Sequence, residues 1–193
     1  MHGARIHWHS NGLIADSLFR DESGLYKSKS WFDNGKIAST GNKIQSKMQG
    51  EWKFFDRDGK LTSVENYENG RLISRNYFNT NGKIITDTTN TDSEATFTGG
   101  DKGWKKYVEK KLHWPDGYHF SKGNNAVVVI EWKINENGDV VDPEIVIPFN
   151  PAFDAIALDV IKKSPTWKPA KSHNRYIETI RRQPVTFSEE DFY

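Results

Sequence analysis

Residues 126–135 read AVVVIEWKIN, and in this stretch the larger apolar side chains stand at every second position. One set of alternate positions holds Val128, Ile130, Trp132 and Ile134. In an extended chain such residues share one face, while Glu131 and Lys133 lie on the other, so we predict a strand buried on one side. Asn137-Gly138 predicts a turn, and residues 140–147 the returning strand, in which Pro143 is tolerated only near an edge or a bulge.

Two helices accompany this predicted hairpin. Before it, apolar residues recur at helical spacing at Trp104, Tyr107, Val108 and Leu112, in a helix that must end before Trp114-Pro115. After it, Asn150 is placed to cap a second helix with Pro151 at its first position, and Ser164-Pro165 stops that helix. A last strand over residues 176–187 completes an α-β-β-α-β domain, with two helices packed on a three-stranded sheet.

The first half of the chain carries a different signal, a turn dipeptide that recurs about every 12 residues. The dipeptides are Asn11-Gly12, Ser23-Gly24, Asn34-Gly35, Asp58-Gly59, Asn69-Gly70 and Asn81-Gly82. Asn-Gly and Asp-Gly favour type I′ turns, since such turns need positive φ at both central residues. We therefore predict a single-layer antiparallel array of β-hairpins. No such dipeptide stands near Lys47, where Met48-Gln49-Gly50 predicts a looser connection.

Aromatic and aliphatic residues flank each predicted turn. Rings precede the turns at Trp8, Phe19, Trp31, Phe55, Tyr67 and Phe78. Apolar residues follow each turn glycine by two positions, at Ile14, Tyr26, Ile37, Leu61, Leu72 and Ile84. We expect most of these rings to fill a thin core on one face of the sheet. The predicted fold class is thus α+β, with the array in residues 1–90, a linker in 91–96 and the α-β-β-α-β domain in 97–193.

Composition and motifs exclude several classes of function. The chain of 193 residues has 27 Lys and Arg against 26 Asp and Glu, and no basic run is longer than two, so we expect no nucleic-acid partner. There is no Cys, and no third ligand supports a metal site at His7 and His9. No nucleophile elbow, phosphate loop or zinc-protease motif is present. We therefore predict no enzyme activity, no catalytic or metal-ligating residue and no cofactor.

Both halves resemble known families. Residues 50–61, GEWKFFDRDGKL, with the units behind them, resemble the variant MORN repeat, which implies scaffolding or partner binding. The second half is similar to the carboxy-terminal domain of TonB, from about residue 97 to 188. That resemblance is carried by Gly99-Gly100-Asp101, Leu112-His113-Trp114-Pro115, residues 127–138, Pro165-Thr166-Trp167-Lys168-Pro169 and Pro184-Val185-Thr186-Phe187.

The TonB resemblance implies a non-enzymatic interaction module of the cell envelope. In that family the domain captures an extended peptide of an outer-membrane receptor by adding it to the edge of its sheet. Carried onto this sequence, the partner-binding residues are Tyr176, Ile177, Glu178, Thr179, Ile180, Arg181, Arg182, Trp114 and Pro115. Trp114 stands where the family usually has tyrosine, which keeps the ring and loses the hydroxyl. The implied partner is a protein or peptide, in particular a TonB-dependent outer-membrane receptor.

The chain also departs from TonB, and this leaves alternatives open. No apolar run approaches the roughly 20 residues that span a bilayer, and no proline-rich spacer is present. We expect a periplasmic or envelope-facing adaptor of a transport system, with membrane contact only through an upstream anchor that is missing from this sequence. The alternative is a cytoplasmic scaffold or antitoxin-type binding protein built on the MORN-like array. A homodimer through the free edge strand is a further expectation.

Overall fold

A computed structural model describes residues 3–86, 92–119 and 125–188. The chain divides into two compact units. One comprises Met1–Asp92 together with Ser172–Arg175, and the other comprises Ser93–Lys171 with Tyr176–Tyr193. The predicted α+β fold class is confirmed, because an antiparallel hairpin sheet is followed by two helices and a three-stranded sheet.

The first unit contains an eight-stranded sheet in which each strand pairs with the next along the chain. Its strands are β1 (Ala4–Trp8), β2 (Ile14–Arg20), β3 (Tyr26–Trp31), β4 (Ile37–Ile44), β5 (Lys47–Phe55), β6 (Leu61–Glu68), β7 (Arg71–Phe78) and β8 (Ile84–Ile85). Every neighbouring pair is antiparallel, as alternating hairpins require.

The turn geometry differs from the prediction at most hairpins. The amide of Gly12 donates to the carbonyl of His9, and only the glycine has positive φ, so the loop is a type I turn that ends in a left-handed glycine. The same bond closes the loops at Gly24, Gly35, Gly59 and Gly82. The predicted type I′ geometry is therefore wrong there and holds at Asn69-Gly70, where both residues have positive φ. The connection between β4 and β5 is also tight: Gln45 and Ser46 form a two-residue turn, not the looser one expected at Met48-Gln49-Gly50.

Asparagine and aspartate side chains hold these three-residue loops. Asp56 Oδ1 accepts hydrogen bonds from the amides of Asp58 and Lys60, and Asn79 makes the same pair of bonds in its own loop. Such side chains satisfy amides that the ladder leaves open at a turn. This favours a type I turn even where the dipeptide is Asn-Gly.

The buried rings of the array are not those that flank the turns. Trp52, Phe54 and Tyr77 are the rings less than 5% exposed, whereas every pre-turn ring is exposed or half-buried. The physical reason is a shift of register just before several turns, for example between Phe54 and Phe55, which breaks the alternation of faces. The predicted apolar stripe is therefore wrong: before the turns at Gly59 and Gly82 the buried rings are Phe54 and Tyr77, one residue earlier than Phe55 and Phe78.

Ser172–Arg175 complete the first unit as a turn that lies on this buried face. His173 and Asn174 have positive φ, and the His173 ring stacks on Phe54 with centroids 3.5 Å apart. Asn174 Nδ2 donates to the carbonyl of Phe78 at 2.9 Å, and Arg175 donates to the carbonyls of Ala38 and Phe55. The turn thus closes the core over Phe54 with both ring contacts and main-chain acceptors.

The second unit is the predicted helix-and-sheet domain. Its elements are α1 (Gly100–Lys111), β9 (Asn125–Ile134), β10 (Val140–Ile147), α2 (Pro151–Lys162) and β13 (Thr179–Ser188). The short strands β11 (Ala170–Ser172) and β12 (Arg175–Ile177) belong to it only in part, because Ser172 and Arg175 are grouped with the first unit. Asn150 caps α2 by accepting from the amide of Ala152, as predicted. Phe153, Ala157 and Ile161 of α2 are fully buried against a core that includes the predicted apolar face of β9.

Two details of this domain differ from expectation. The last strand is divided, because β12 forms a separate two-stranded sheet with β11, and β13 begins only at Thr179. Chain that precedes α1 also enters the core: Ser93 and Thr96 form bridges with Lys171 and Lys168, while Ala95 and Phe97 are buried.

Candidate functional site

The strand β13 lies at one border of the three-stranded sheet, whose order is β10-β9-β13. It pairs with β9 over ten consecutive residues, from Thr179 opposite Ile134 to Ser188 opposite Asn125, without a register shift. Within residues 3–86, 92–119 and 125–188, no main-chain hydrogen bond links β13 to any strand other than β9. One side of β13 thus has a complete ladder and the other an open row of main-chain groups.

Pro184 indicates which main-chain groups face outward. Proline has no amide hydrogen, and inside a regular strand it is tolerated where its nitrogen points away from the neighbouring strand. Because main-chain groups of an antiparallel strand alternate in direction, we infer that Ile180, Arg182 and Thr186 direct their amides and carbonyls to the same open side. The open edge therefore offers donors and acceptors on either side of a single missing donor at Pro184.

The side chains of β13 also alternate. Val185 and Phe187 are buried in the core, while Ile180 on the opposite face is 62% exposed. Arg182 shares the exposed face with Ile180. Pro184 and Thr186 follow on the same face, so the side chains beside the open main-chain groups include a large aliphatic one at Ile180 and a cationic one at Arg182.

Two side chains on the inner face of β13 tie it to the rest of the domain. Trp104 of α1 donates its indole hydrogen to Gln183 Oε1 at 2.6 Å. Arg181 donates to the carbonyl of Ala95 and its guanidinium lies 5.9 Å from the ring centre of Trp167. The two predicted arginines therefore differ in position, since Arg181 is held within the domain and Arg182 faces outward.

The other border of the sheet, formed by β10, is irregular. Its register with β9 shifts between Val141 and Glu144 and again between Ile145 and Ile147. Asp142 has a positive φ of 49°, and Pro143 follows it, as the sequence predicts near an edge or bulge. Such features block the addition of another strand. Of the two borders, β13 is the regular one.

The remaining predicted residues lie beside this edge or away from it. Tyr176 and Ile177 belong to β12; the tyrosine is 54% exposed and the isoleucine packs against the core. Glu178 connects β12 to β13 and its carboxylate is 3.6 Å from Lys133 Nζ. Lys133 also donates to Asp142 at 3.1 Å, and this bond, with the charge of Glu178, raises the pKa of the lysine.

Trp114 and Pro115 follow α1 and take part in packing. The Trp114 indole donates to the carbonyl of Tyr118 at 2.7 Å and its ring meets Phe153 edge to face, with centroids 5.3 Å apart. Pro115 is buried.

Two residues of the β13 edge, Pro184 and Gln183, are absent from the partner-binding residues predicted from the sequence. Pro184 could have been included, because a proline inside a predicted strand is a signal for a border strand.

The described ranges 3–86, 92–119 and 125–188 hold no group of three or more histidine, aspartate or glutamate side chains that is suited to a metal ion. Among the helices of the same ranges, none has the length and apolar character that a membrane crossing needs. The candidate site is therefore the open main-chain edge of β13, a type of surface that can pair with an extended chain.

Comparison with protein families agrees with this geometry. Residues 120–188 match the model of the Gram-negative bacterial TonB protein C-terminal, and residues 48–69 match the MORN repeat variant. The first range covers β9 to β13 and α2 and begins after Trp114-Pro115. No curated protein and no solved structure matches the chain. Both matched families are non-enzymatic domains. The two matches thus lie in different units of the chain: the MORN match within the hairpin array and the TonB match over the sheet and second helix of the α-β-β-α-β domain.

Proposed function

We propose that the protein is an adaptor of the cell envelope that captures an extended peptide of a partner protein on the open edge of β13. The family match to the TonB C-terminal model supports an envelope interaction module. The observation that carries the proposal is the unbroken ten-residue pairing of β13 with β9, opposite a side that has no main-chain partner in the described part of the chain.

Affinity in this mode comes from main-chain hydrogen bonds, and selectivity comes from alternate side chains. The open amides inferred at Ile180 and Arg182 lie next to each other along the edge, before the gap at Pro184. A peptide strand would gain its longest run of bonds there, which agrees with the predicted residues Thr179 to Arg182. Ile180 and Arg182 favour a peptide with an apolar residue and an acidic residue on the same face. Tyr176, Ile177 and Glu178 extend this surface at the start of the strand.

The partner we propose is a periplasmic segment of a TonB-dependent outer-membrane receptor, with the adaptor in the periplasm. In this proposal Trp114 acts through its ring contact with Phe153 and Pro115 through its buried position, rather than by contact with the peptide. The alternative of a cytoplasmic scaffold or antitoxin-type protein is favoured by the array, which carries the MORN match and makes up about half of the described chain. Homodimerisation by pairing of two β13 strands uses the same edge and competes with the peptide.

The experiment compares two substitutions at the same position. Arg182→Pro removes an outward amide but keeps the β9 ladder, whereas Arg182→Gln removes only the charge. Binding of synthetic periplasmic segments of TonB-dependent receptors is measured by titration calorimetry. We expect Arg182→Pro to abolish binding and Arg182→Gln to weaken it about threefold to tenfold, as for an exposed charge pair.

Amide exchange read by NMR gives the second readout. We expect peptide to protect the amides of Ile180, Arg182 and Thr186. The proposal would be wrong if the peptide protected amides of the hairpin array instead and bound equally to the wild-type chain and to Arg182→Pro. The peptide-binding site would then lie on the array. Light scattering over a concentration series separates peptide capture from self-pairing of β13.

A further inference from the structure

A concave surface lies on one face of the hairpin array, wholly within the first unit. It has a volume of about 850 Å³. The lining comes from β1 to β5 and includes Arg5, His7, Asp16, Ser28, Lys43 and Trp52. We refer to this surface as the array groove.

The floor of the array groove is made of small polar side chains. Ser30 of β3 pairs with Ser39 of β4, and their hydroxyls are 2.6 Å apart, while Ser28 pairs with Gly41. Core faces of sheets normally carry large apolar residues at such positions. Serines here leave a wide depression with hydroxyl groups at its base, which can bond to a main chain laid across them.

Trp52 forms one wall of the groove. Its ring packs against the main chain of Gly41, so closely that a Cβ added at that position would lie 2.3 Å from the indole. Its indole nitrogen donates to the carbonyl of Asn42 at 2.9 Å, and Lys43 Nζ lies 5.7 Å from its ring centre. The wall is thus fixed in place and carries a cation at its rim.

The charges of the groove do not balance. Asp16 is its acidic lining residue, and its carboxylate is engaged by His7 Nδ1 at 2.8 Å. Arg5 Nε donates to the other nitrogen of the same histidine at 3.2 Å. Among the described residues, no carboxylate lies within ion-pair distance of Arg5 or Lys43. Two cations therefore face the groove without an acidic partner.

The same face of the array already accommodates a polypeptide turn. On the far side of Trp52, the turn Ser172–Arg175 stacks His173 on Phe54 and bonds to carbonyls of the strands. Trp52 itself stacks on Phe54, with centroids 6.1 Å apart, so the groove and the turn-bearing part of the face share one row of rings. The array groove is the continuation of that surface.

We propose that the array groove binds an acidic polypeptide segment of a partner protein. Arg5 on β1 and Lys43 on β4 are separated by three strand intervals, or about 14 Å across the sheet. Lys43 is also two residues along β4 from Gly41, which lies level with Arg5, so the two positions are about 16 Å apart. An extended chain rises about 3.3 Å per residue, so two carboxylates about four or five residues apart reach both cations. Ser28 of β3 lies level with Arg5 and between the two cations, and its hydroxyl bonds to the main chain of the segment.

The test uses the full chain and a fluorescein-labelled peptide of about ten residues, with glutamates four positions apart in a Gly-Ser background. Fluorescence anisotropy at low ionic strength measures binding, with the same peptide carrying glutamine as the uncharged control. We expect the double variant Arg5→Gln/Lys43→Gln to bind about tenfold more weakly or worse. The matched control is Lys27→Gln/Lys29→Gln, which removes two cations of β3 that alternate with the groove-lining Tyr26, Ser28 and Ser30 and are expected to leave binding unchanged.

Further variants distinguish binding in the array groove from binding at the edge of β13. Arg182→Pro should leave binding of the acidic peptide unchanged, while Ser28→Trp should fill the groove and prevent it. Thermal melts establish that each variant is folded. Equal binding by the wild-type chain and the Arg5/Lys43 variant, or loss of binding in Arg182→Pro alone, overturns the proposal. The proposal is also overturned if the peptide does not bind but anionic phospholipid vesicles do, and if the Arg5→Gln/Lys43→Gln variant weakens that vesicle binding. A membrane surface would then be the ligand of the groove.

Discussion

The indole nitrogen of Trp104 donates a hydrogen bond of 2.6 Å to the side chain of Gln183, 79 residues further along the chain. It joins the middle of α1 to the inner face of β13. Trp104 also lies among four other rings, with centroid distances of 4.9 Å to Trp167 and 5.7 Å to Trp132. The helix thus holds the inner face of the strand and leaves its outer edge open.

Trp104→Phe tests this support. The substitution removes the donor to Gln183 and part of a ring that is 6% exposed, so we expect the free energy of unfolding to fall by about 2–3 kcal/mol. Urea unfolding measures the change. A double-mutant cycle with Gln183→Leu should give a coupling of about 1 kcal/mol. Additive effects of the two substitutions would show that the bond contributes nothing of its own.

Glu65 should make stability depend on pH. Burial alone would raise its pKa, but hydrogen bonds from His173, Tyr67 and Ser63 outweigh burial and hold the pKa below its ordinary value of 4.5. A depressed carboxyl pKa stabilises the fold above the unfolded-state value, and this stability is lost as pH falls through the folded-state value. We expect the first unit to lose stability from about pH 4.5 downwards.

Glu65→Gln is the variant that measures this effect. It keeps the size of the side chain and removes its charge, so at pH 7 we expect a loss of about 2 kcal/mol and a flatter profile at acid pH. Glu51→Gln on β5 is the matched control, because its side chain is 56% exposed. Chemical unfolding at several pH values gives both profiles. Identical slopes for wild type and Glu65→Gln would contradict the assignment.

Gly41 should be intolerant of any side chain. A Cβ there meets the ring of Trp52 at 2.3 Å, and Trp52 cannot move without losing its bond to Asn42 and its contact with Phe54. We expect Gly41→Ala to destabilise the array by about 2–3 kcal/mol, as overpacking does. Gly3→Ala is the control, since nothing lies within 4 Å of its added Cβ. Thermal melting followed by tryptophan fluorescence reports on both, and an unchanged midpoint for Gly41→Ala would refute the close packing.

Prediction from sequence succeeded where a signal is local. The cap of Asn150 on α2 and the one-sided burial of β9 both depend on residues close in the chain, and both are present. The hairpin array was also predictable, because glycine spacing reports turns directly. The turn type was not, since Asn-Gly serves both geometries and side chains such as Asp56 select between them.

The positions of the buried rings in the array show why alternation along a strand does not always predict which side chains form the core. A register shift before Phe55 moves the core to Phe54 and Trp52, and a shift of one residue cannot be read from alternation. The grouping of Ser172–Arg175 with the first unit could not be predicted from local sequence either. It depends on contacts such as that of His173 with Glu65, which join residues 108 positions apart.

The amino-acid sequence by itself determined the elements of this protein: turns from glycine and asparagine, helix ends from caps and prolines, and strand faces from alternation. These follow from dihedral preferences and from hydrogen bonds within a few residues. Only the tertiary structure decided which border strand has no second main-chain partner within the described residues and which part of the array face the turn Ser172–Arg175 covers. Those outcomes depend on which strands find neighbours, and that is set by packing between residues far apart in the chain.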